Sequence, residues 1–77
     1  MEKENFIALL YDALELEEIE INLDDVFREY NEWDSLSMLT VLATINEEYD
    51  IIIPRKIFDK MVTVEDIFLY LDKELNM

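Results

Sequence analysis

Seventy-seven residues make one domain near the lower size limit for a chain that folds alone, and with no cysteine there are no disulfides to help it. Without cysteine or histidine, thiol or Ser-His nucleophilic catalysis and the usual zinc sites are excluded. Twenty acidic against six basic side chains, a formal charge of −14, repel nucleic acid and an anionic membrane surface; the acidity either serves solubility alone or selects basic patches on other proteins.

From about Lys3 to Glu15, Phe6, Ile7, Leu10, Ala13 and Leu14 recur at helical spacing and predict an amphipathic first helix. The opening Met1-Glu2-Lys3-Glu4-Asn5 is wrong for a signal peptide and no segment is long enough to span a membrane, so a freestanding, cytoplasmic protein is expected. Residues 16 to 33 lack sustained periodicity, yet Ile21, Val26, Phe27 and Tyr30 are too apolar for a solvated linker. They predict a long loop packed over the bundle, with a short turn at Asp24-Asp25. A connection of that length in a small domain is usually functional, and this one runs into Glu32-Trp33-Asp34-Ser35-Leu36-Ser37.

A second helix, about Ser35 to Tyr49, would be roughly 22 Å long at the α-helical rise. Met38, Val41, Leu42, Ile45 and Tyr49 form its buried stripe. Leu36, Leu39 and Ala43 project on nearly the reverse side, flanked by Thr40 and Glu47; they are either a docking line that begins beside Ser35 or incidental exposure. Ser35 is expected in the first turn with its hydroxyl facing water, where free backbone N–H groups and the positive helix end would welcome a phosphodiester. Taken alone, an Asp-Ser pair at such a place is more often only a helix cap.

Asp50 to Ile53 is an apolar connection closed by Pro54, which ends regular structure before it and suits a helix start after it. Arg55 to about Lys60 predicts a short third helix that offers Ile57 and Phe58. Ile51-Ile52-Ile53 has no second strand to pair with. Thr63 with Asp66 three residues on resembles a capping box, and Val64, Ile67, Phe68, Leu71 and Leu75 supply the stripe of a last helix. The fold class expected is all-α: a small four-helix bundle of three longer helices and one short third helix, with a long loop between the first and second, over a single domain 1–77.

Asp34-Ser35-Leu36 at the head of the second helix resembles the signature of acyl and peptidyl carrier proteins, and the Trp33-Asp34-Ser35-Leu36-Ser37 form is similar to a subset of bacterial freestanding carriers. Phe27, Glu47-Glu48-Tyr49, Ile53-Pro54 and Thr63-Val64-Glu65-Asp66 also fall where that family's pattern places them, so the likeness covers essentially the whole chain. It implies that Ser35 accepts 4′-phosphopantetheine from coenzyme A through a magnesium-dependent phosphopantetheinyl transferase. The thiol of that arm would carry acyl or aminoacyl groups as thioesters between enzymes. Asp34 corresponds to the carboxylate beside the modified serine, and Leu36 to an apolar contact for the transferase and other partners. Leu39, Ala43, Glu47 and Glu48 complete the expected partner face. A monomer without catalytic residues or a metal site, served by an acyl or aminoacyl ligase and other enzymes with basic patches, is expected. The acid pairs Asp24-Asp25 and Glu47-Glu48 lack EF-hand spacing.

The chain departs from the family's pattern in three places. Many fatty-acid-synthesis carriers place acids at positions matching Ser37, Thr40 and Asn46; the third helix, often acidic, begins here with Arg55-Lys56; and the glycine common before the Asp-Ser pair is absent. These departures point to a specialised carrier with a dedicated ligase or small biosynthetic cluster, with an aminoacyl or peptidyl carrier as the alternative. A small acidic adaptor that is never modified is the reading from a different class. Phe27, Val41, Leu42, Ile45 and Ile53 are expected to meet Phe58, Met61, Ile67 and Leu71 in the bundle centre as ordinary core. In the resembled family that centre can shelter an acyl chain, and with Phe58 and Met61 filling space little room for a long one is expected. Trp33 either plugs the loop against the bundle or lines the path of the arm.

Overall fold

The computed structural model describes residues 2–15, 20–31 and 33–76. Among these residues four helices follow in order: α1, Lys3–Leu14; α2, Ser35–Tyr49; α3, Arg55–Phe58; and α4, Val64–Leu75, with a 3-10 turn at Phe27–Glu29 between the first two. The described residues form no strand, only an isolated antiparallel bridge between Val26 and Thr63. The radius of gyration, 11.5 Å, is about that of a close-packed domain of this length.

α1 against α2 is the most extensive helix pairing. Phe6 and Leu10 from α1, Val41 and Ile45 from α2, and Val64, Ile67 and Leu71 from α4 meet in one core with Phe27 and Phe58. No polar or charged side chain of the described residues is buried with them. Each fully buried side chain of this kind contributes about 1.5–3 kcal/mol relative to exposure.

The expected stripes hold at most positions. Leu9 joins the core although the spacing did not single it out, and Met38, Leu42 and Tyr49 are only half-buried. The helix at Arg55 is shorter than expected: it ends at Phe58, with Asp59 and Lys60 in a turn. Ile57 does not enter the core and is 39% exposed. Neighbours on a helix point about 100° apart, so one turn can aim only one of two adjacent side chains inward, and Phe58 takes that place. Leu75 lies in the last turn of α4 and is exposed too.

The long connection is pinned to three helices. The Ile21 amide donates to the Tyr11 hydroxyl of α1 at 2.9 Å. The turn at Asn22–Asp25 aims the Leu23 and Asp25 carbonyls at the Glu65 and Val64 amides, at 2.7 and 3.0 Å, which satisfies two of the free N–H groups at the head of α4. Arg28 reaches the end of α3 and donates to the Phe58 and Met61 carbonyls. The Tyr30 hydroxyl donates to Asp25 at 2.8 Å; burial and then this bond push the phenol above its ordinary range. Expectations for residues 16–19 and for Glu32 lie outside the described residues.

Candidate functional site

The connection delivers the chain to the head of α2. Asp34 is extended, with φ −149° and ψ −172°, and caps the helix. The Ser37 amide donates to Asp34 Oδ1 at 2.8 Å, and the Asp34 amide donates back to Ser37 Oγ at 3.3 Å. This is a capping box with serine in the position usually held by Glu or Gln. The Ser37 amide, then the Ser37 hydroxyl and the Leu36 amide, hold the Asp34 carboxyl below the usual carboxylate range.

Ser35 is the first residue of α2 and is exposed. The capping bonds run between its neighbours, so its hydroxyl has no hydrogen-bond partner among the described residues. The first turn of this 15-residue helix carries no acidic side chain. The free amides expected at this helix start are largely taken: the Asp34 carboxylate holds those of Ser37 and Leu36, and what the surface presents is an exposed, uncommitted hydroxyl on a capped first turn. A phosphodiester attached to the Ser35 hydroxyl displaces none of these bonds, and the like charge nearest it in sequence is the Asp34 carboxylate of the cap.

Leu36 and Leu39 are 70% and 56% exposed, and Ala43 is exposed on the same line. Glu47 and Glu48 are exposed at the far end of α2. A surface groove of about 380 Å³ borders the start of that line, lined by Ala13, Leu14, Glu15, Asp34, Leu36, Ser37 and Thr40.

Trp33 is half-buried. Its ring meets Phe27 edge-on with centroids 5.0 Å apart and stacks over Phe58 at 6.4 Å, so it packs the loop onto the bundle. Eight of the nine residues expected at the bundle centre are buried, and Leu42 stands at the edge. Reasoning from the residues missed the reciprocal role of Ser37, although its spacing from Asp34 was visible, and missed Arg28 altogether. Among the described residues no group of three acidic side chains is placed to hold a metal ion, and no helix is long and apolar enough to cross a membrane.

A family model described as the phosphopantetheine attachment site matches residues 5–71, from the first turn of α1 into α4, with the Asp34-Ser35 corner inside the match. Members of that family carry 4′-phosphopantetheine covalently, are not themselves catalytic, and work with phosphopantetheinyl transferases and acyl-handling enzymes. With most of its length matched, this chain belongs to the phosphopantetheine-binding carrier proteins.

Proposed function

We propose that Ser35 is the residue that bears 4′-phosphopantetheine, and that residues 1–77 work as one acyl carrier domain of a specialised biosynthetic pathway. The observation that carries this reading is the division of labour at the head of α2: Asp34 and Ser37 close the helix between them, which leaves the Ser35 hydroxyl exposed and uncommitted. The chain has no histidine or cysteine beside Ser35 to activate it, so the visiting transferase removes its proton. When attached, the arm supplies the thiol on which acyl groups travel as thioesters.

Leu36, exposed beside the hydroxyl, offers the transferase an apolar contact, and Leu39 and Ala43 extend it along α2. Between Ser35 and Asn46 the helix carries no charge, and its acids begin at Glu47 and Glu48. Partners that dock through a basic patch of their own therefore meet an apolar line before an acidic end, which supports a dedicated partner set over general fatty-acid synthesis. An aminoacyl cargo fits the same site.

The test is intact-mass measurement after incubation with coenzyme A, magnesium and a broad-specificity phosphopantetheinyl transferase. A gain of one phosphopantetheine that is absent in Ser35→Ala is expected. A gain that survives Ser35→Ala refutes the assignment. No gain with several transferases favours an unmodified adaptor that binds through Leu36, Leu39 and Ala43.

A further inference from the structure

Arg28 is the sole basic residue between positions 15 and 54. Its guanidinium carbon lies 4.7 Å from the ring centroid of Phe27 and 5.2 Å from that of Phe58. Nη2 donates to the Phe58 carbonyl at 2.9 Å, and Nη1 donates to the Met61 carbonyl. Those two carbonyls belong to the last residue of α3 and to the turn that follows it. The planar fork of a guanidinium suits two neighbouring acceptors, and a cation at a helix C-terminus is favourable in its own right.

α3 is four residues long, too short to hold its shape without tertiary support. Inward it offers the core Phe58, while Ile57, Arg55 and Lys56 face water. Phe58 is gripped from the connection by three side chains: the Phe27 ring at 5.5 Å, Trp33 and Arg28. Trp33 stands two residues before Ser35, within about 7 Å along the backbone. The arm at Ser35 is long and flexible, so an alkyl group at its end can fold back to an aromatic cluster whose far side is the bundle core. It gains free energy with each methylene that leaves water, so whether it enters depends on how firmly the cluster is shut.

We propose that Arg28 is a latch: it holds α3 against the long connection and, with Trp33, keeps cargo on the Ser35 arm outside the bundle. The second half rests on the assignment of Ser35 as the attachment residue. Arg28 is a positioning residue here, acting on cargo only through α3. Loss of its donors takes the guanidinium from the Met61 carbonyl and leaves the Phe58 carbonyl with the Met61 amide alone, and α3 then opens locally while the longer helices stay packed.

Amide hydrogen exchange on the unloaded protein tests the latch by itself. The reporters are the Asp59, Lys60 and Met61 amides, bonded at 2.9, 3.1 and 3.0 Å to the Arg55, Ile57 and Phe58 carbonyls. In Arg28→Met, which keeps an apolar stem and loses every donor, their exchange is expected to rise about tenfold or more while Leu10 and Leu71 change little. Arg28→Lys, which keeps charge without the fork, is expected to fall between. No change, or an equal rise in every helix, overturns the latch.

For the cargo, a broad-specificity transferase loads octanoyl- or acetyl-phosphopantetheine from the matching coenzyme A thioester onto wild type, Arg28→Met and Trp33→Ala. Intact mass verifies loading, and amide shifts at Val41, Ile45 and Leu71 are then compared. Octanoyl-specific shifts are expected in both variants and not in wild type. Shifts in wild type, or none in a loaded variant, overturn the gate. Failure to load at Ser35 overturns the attachment reading and the cargo half with it, and the exchange result still decides the latch.

Discussion

Asp34 and Ser37 exchange hydrogen bonds across Ser35: the Ser37 amide reaches Asp34 Oδ1 at 2.8 Å and the Asp34 amide reaches Ser37 Oγ at 3.3 Å. A serine at a helix start is normally suspected of capping, with its hydroxyl turned back to the backbone. Here that task is done by the residues on either side. Ser35 is left with its backbone fixed in the first turn and its side chain in water, as a residue modified by another enzyme needs.

The same exchange makes a prediction about acid. Hydrogen bonds to the charged form hold the Asp34 carboxyl below its ordinary value, so ionised Asp34 is favoured in the fold. Its contribution to stability is complete above the unfolded carboxylate value and is lost as pH falls through the lower folded value. A carbon-detected titration of the Asp34 carboxyl is expected to show a depressed midpoint. Ser37→Ala removes the hydroxyl and keeps the amide, so the midpoint moves part of the way back. A midpoint unaffected by Ser37→Ala would mean that the hydroxyl plays no part.

Leu36, 70% exposed, separates docking from folding. Leu36→Glu removes no core contact, so urea unfolding is expected to stay within about 0.5 kcal/mol of wild type. On the proposal that Ser35 carries the arm and Leu36 meets the transferase, modification is expected to slow, because a carboxylate replaces an apolar side chain beside the hydroxyl. Unfolding of the variant would place Leu36 in the core, against the exposure observed.

α2 was legible from end to end, because its apolar spacing is long and its boundaries coincide with a cap and an αL residue. The α4 cap was legible as well: Thr63 and Asp66 close a capping box as their spacing implied. The head of α2 was legible as a helix start with Ser35 exposed in its first turn, though not its internal bonding, since Ser37 stands where Glu or Gln is usual. Arg28 gave no signal. A single cation in an aperiodic stretch has no pattern to betray it, and its partners are main-chain carbonyls about thirty residues away, which no side-chain code records. The exposure of Ile57 was hidden for a related reason: over one helical turn, periodicity cannot say which of two adjacent apolar residues faces inward.

That ambiguity is settled by a pair of truncations. Phe58 is 0% exposed and touches Phe27, Trp33 and Arg28, so Phe58→Ala is expected to cost about 3–5 kcal/mol, a large share of a small domain's stability. Ile57→Ala is expected to cost less than about 1 kcal/mol, in keeping with its exposure. Urea denaturation measures both. Equal costs would place Ile57 in the core.

The chain has no glycine, yet among the described residues two helix ends turn left-handed. Glu15 closes α1 at φ 54° and Asp50 closes α2 at φ 57°, their amides bonded to the Tyr11 and Asn46 carbonyls. A β-carbon disfavours that conformation by about 1–2 kcal/mol, less for Asp, whose short side chain bonds locally. Glycine removes the clash and adds chain entropy to the unfolded state, so Glu15→Gly is expected to stabilise by about 0.5–1 kcal/mol net, and Asp50→Gly by less. Each change also deletes a negative charge from a protein that carries −14, which relieves self-repulsion by a separate route. Glu15→Gln isolates that part, since it drops the charge and keeps the β-carbon. Thermal unfolding of the three variants is expected to rank Glu15→Gly above Asp50→Gly and well above Glu15→Gln. If Glu15→Gln gains as much as Glu15→Gly, the left-handed residue at the end of α1 is not strained, and relief of charge accounts for the whole effect.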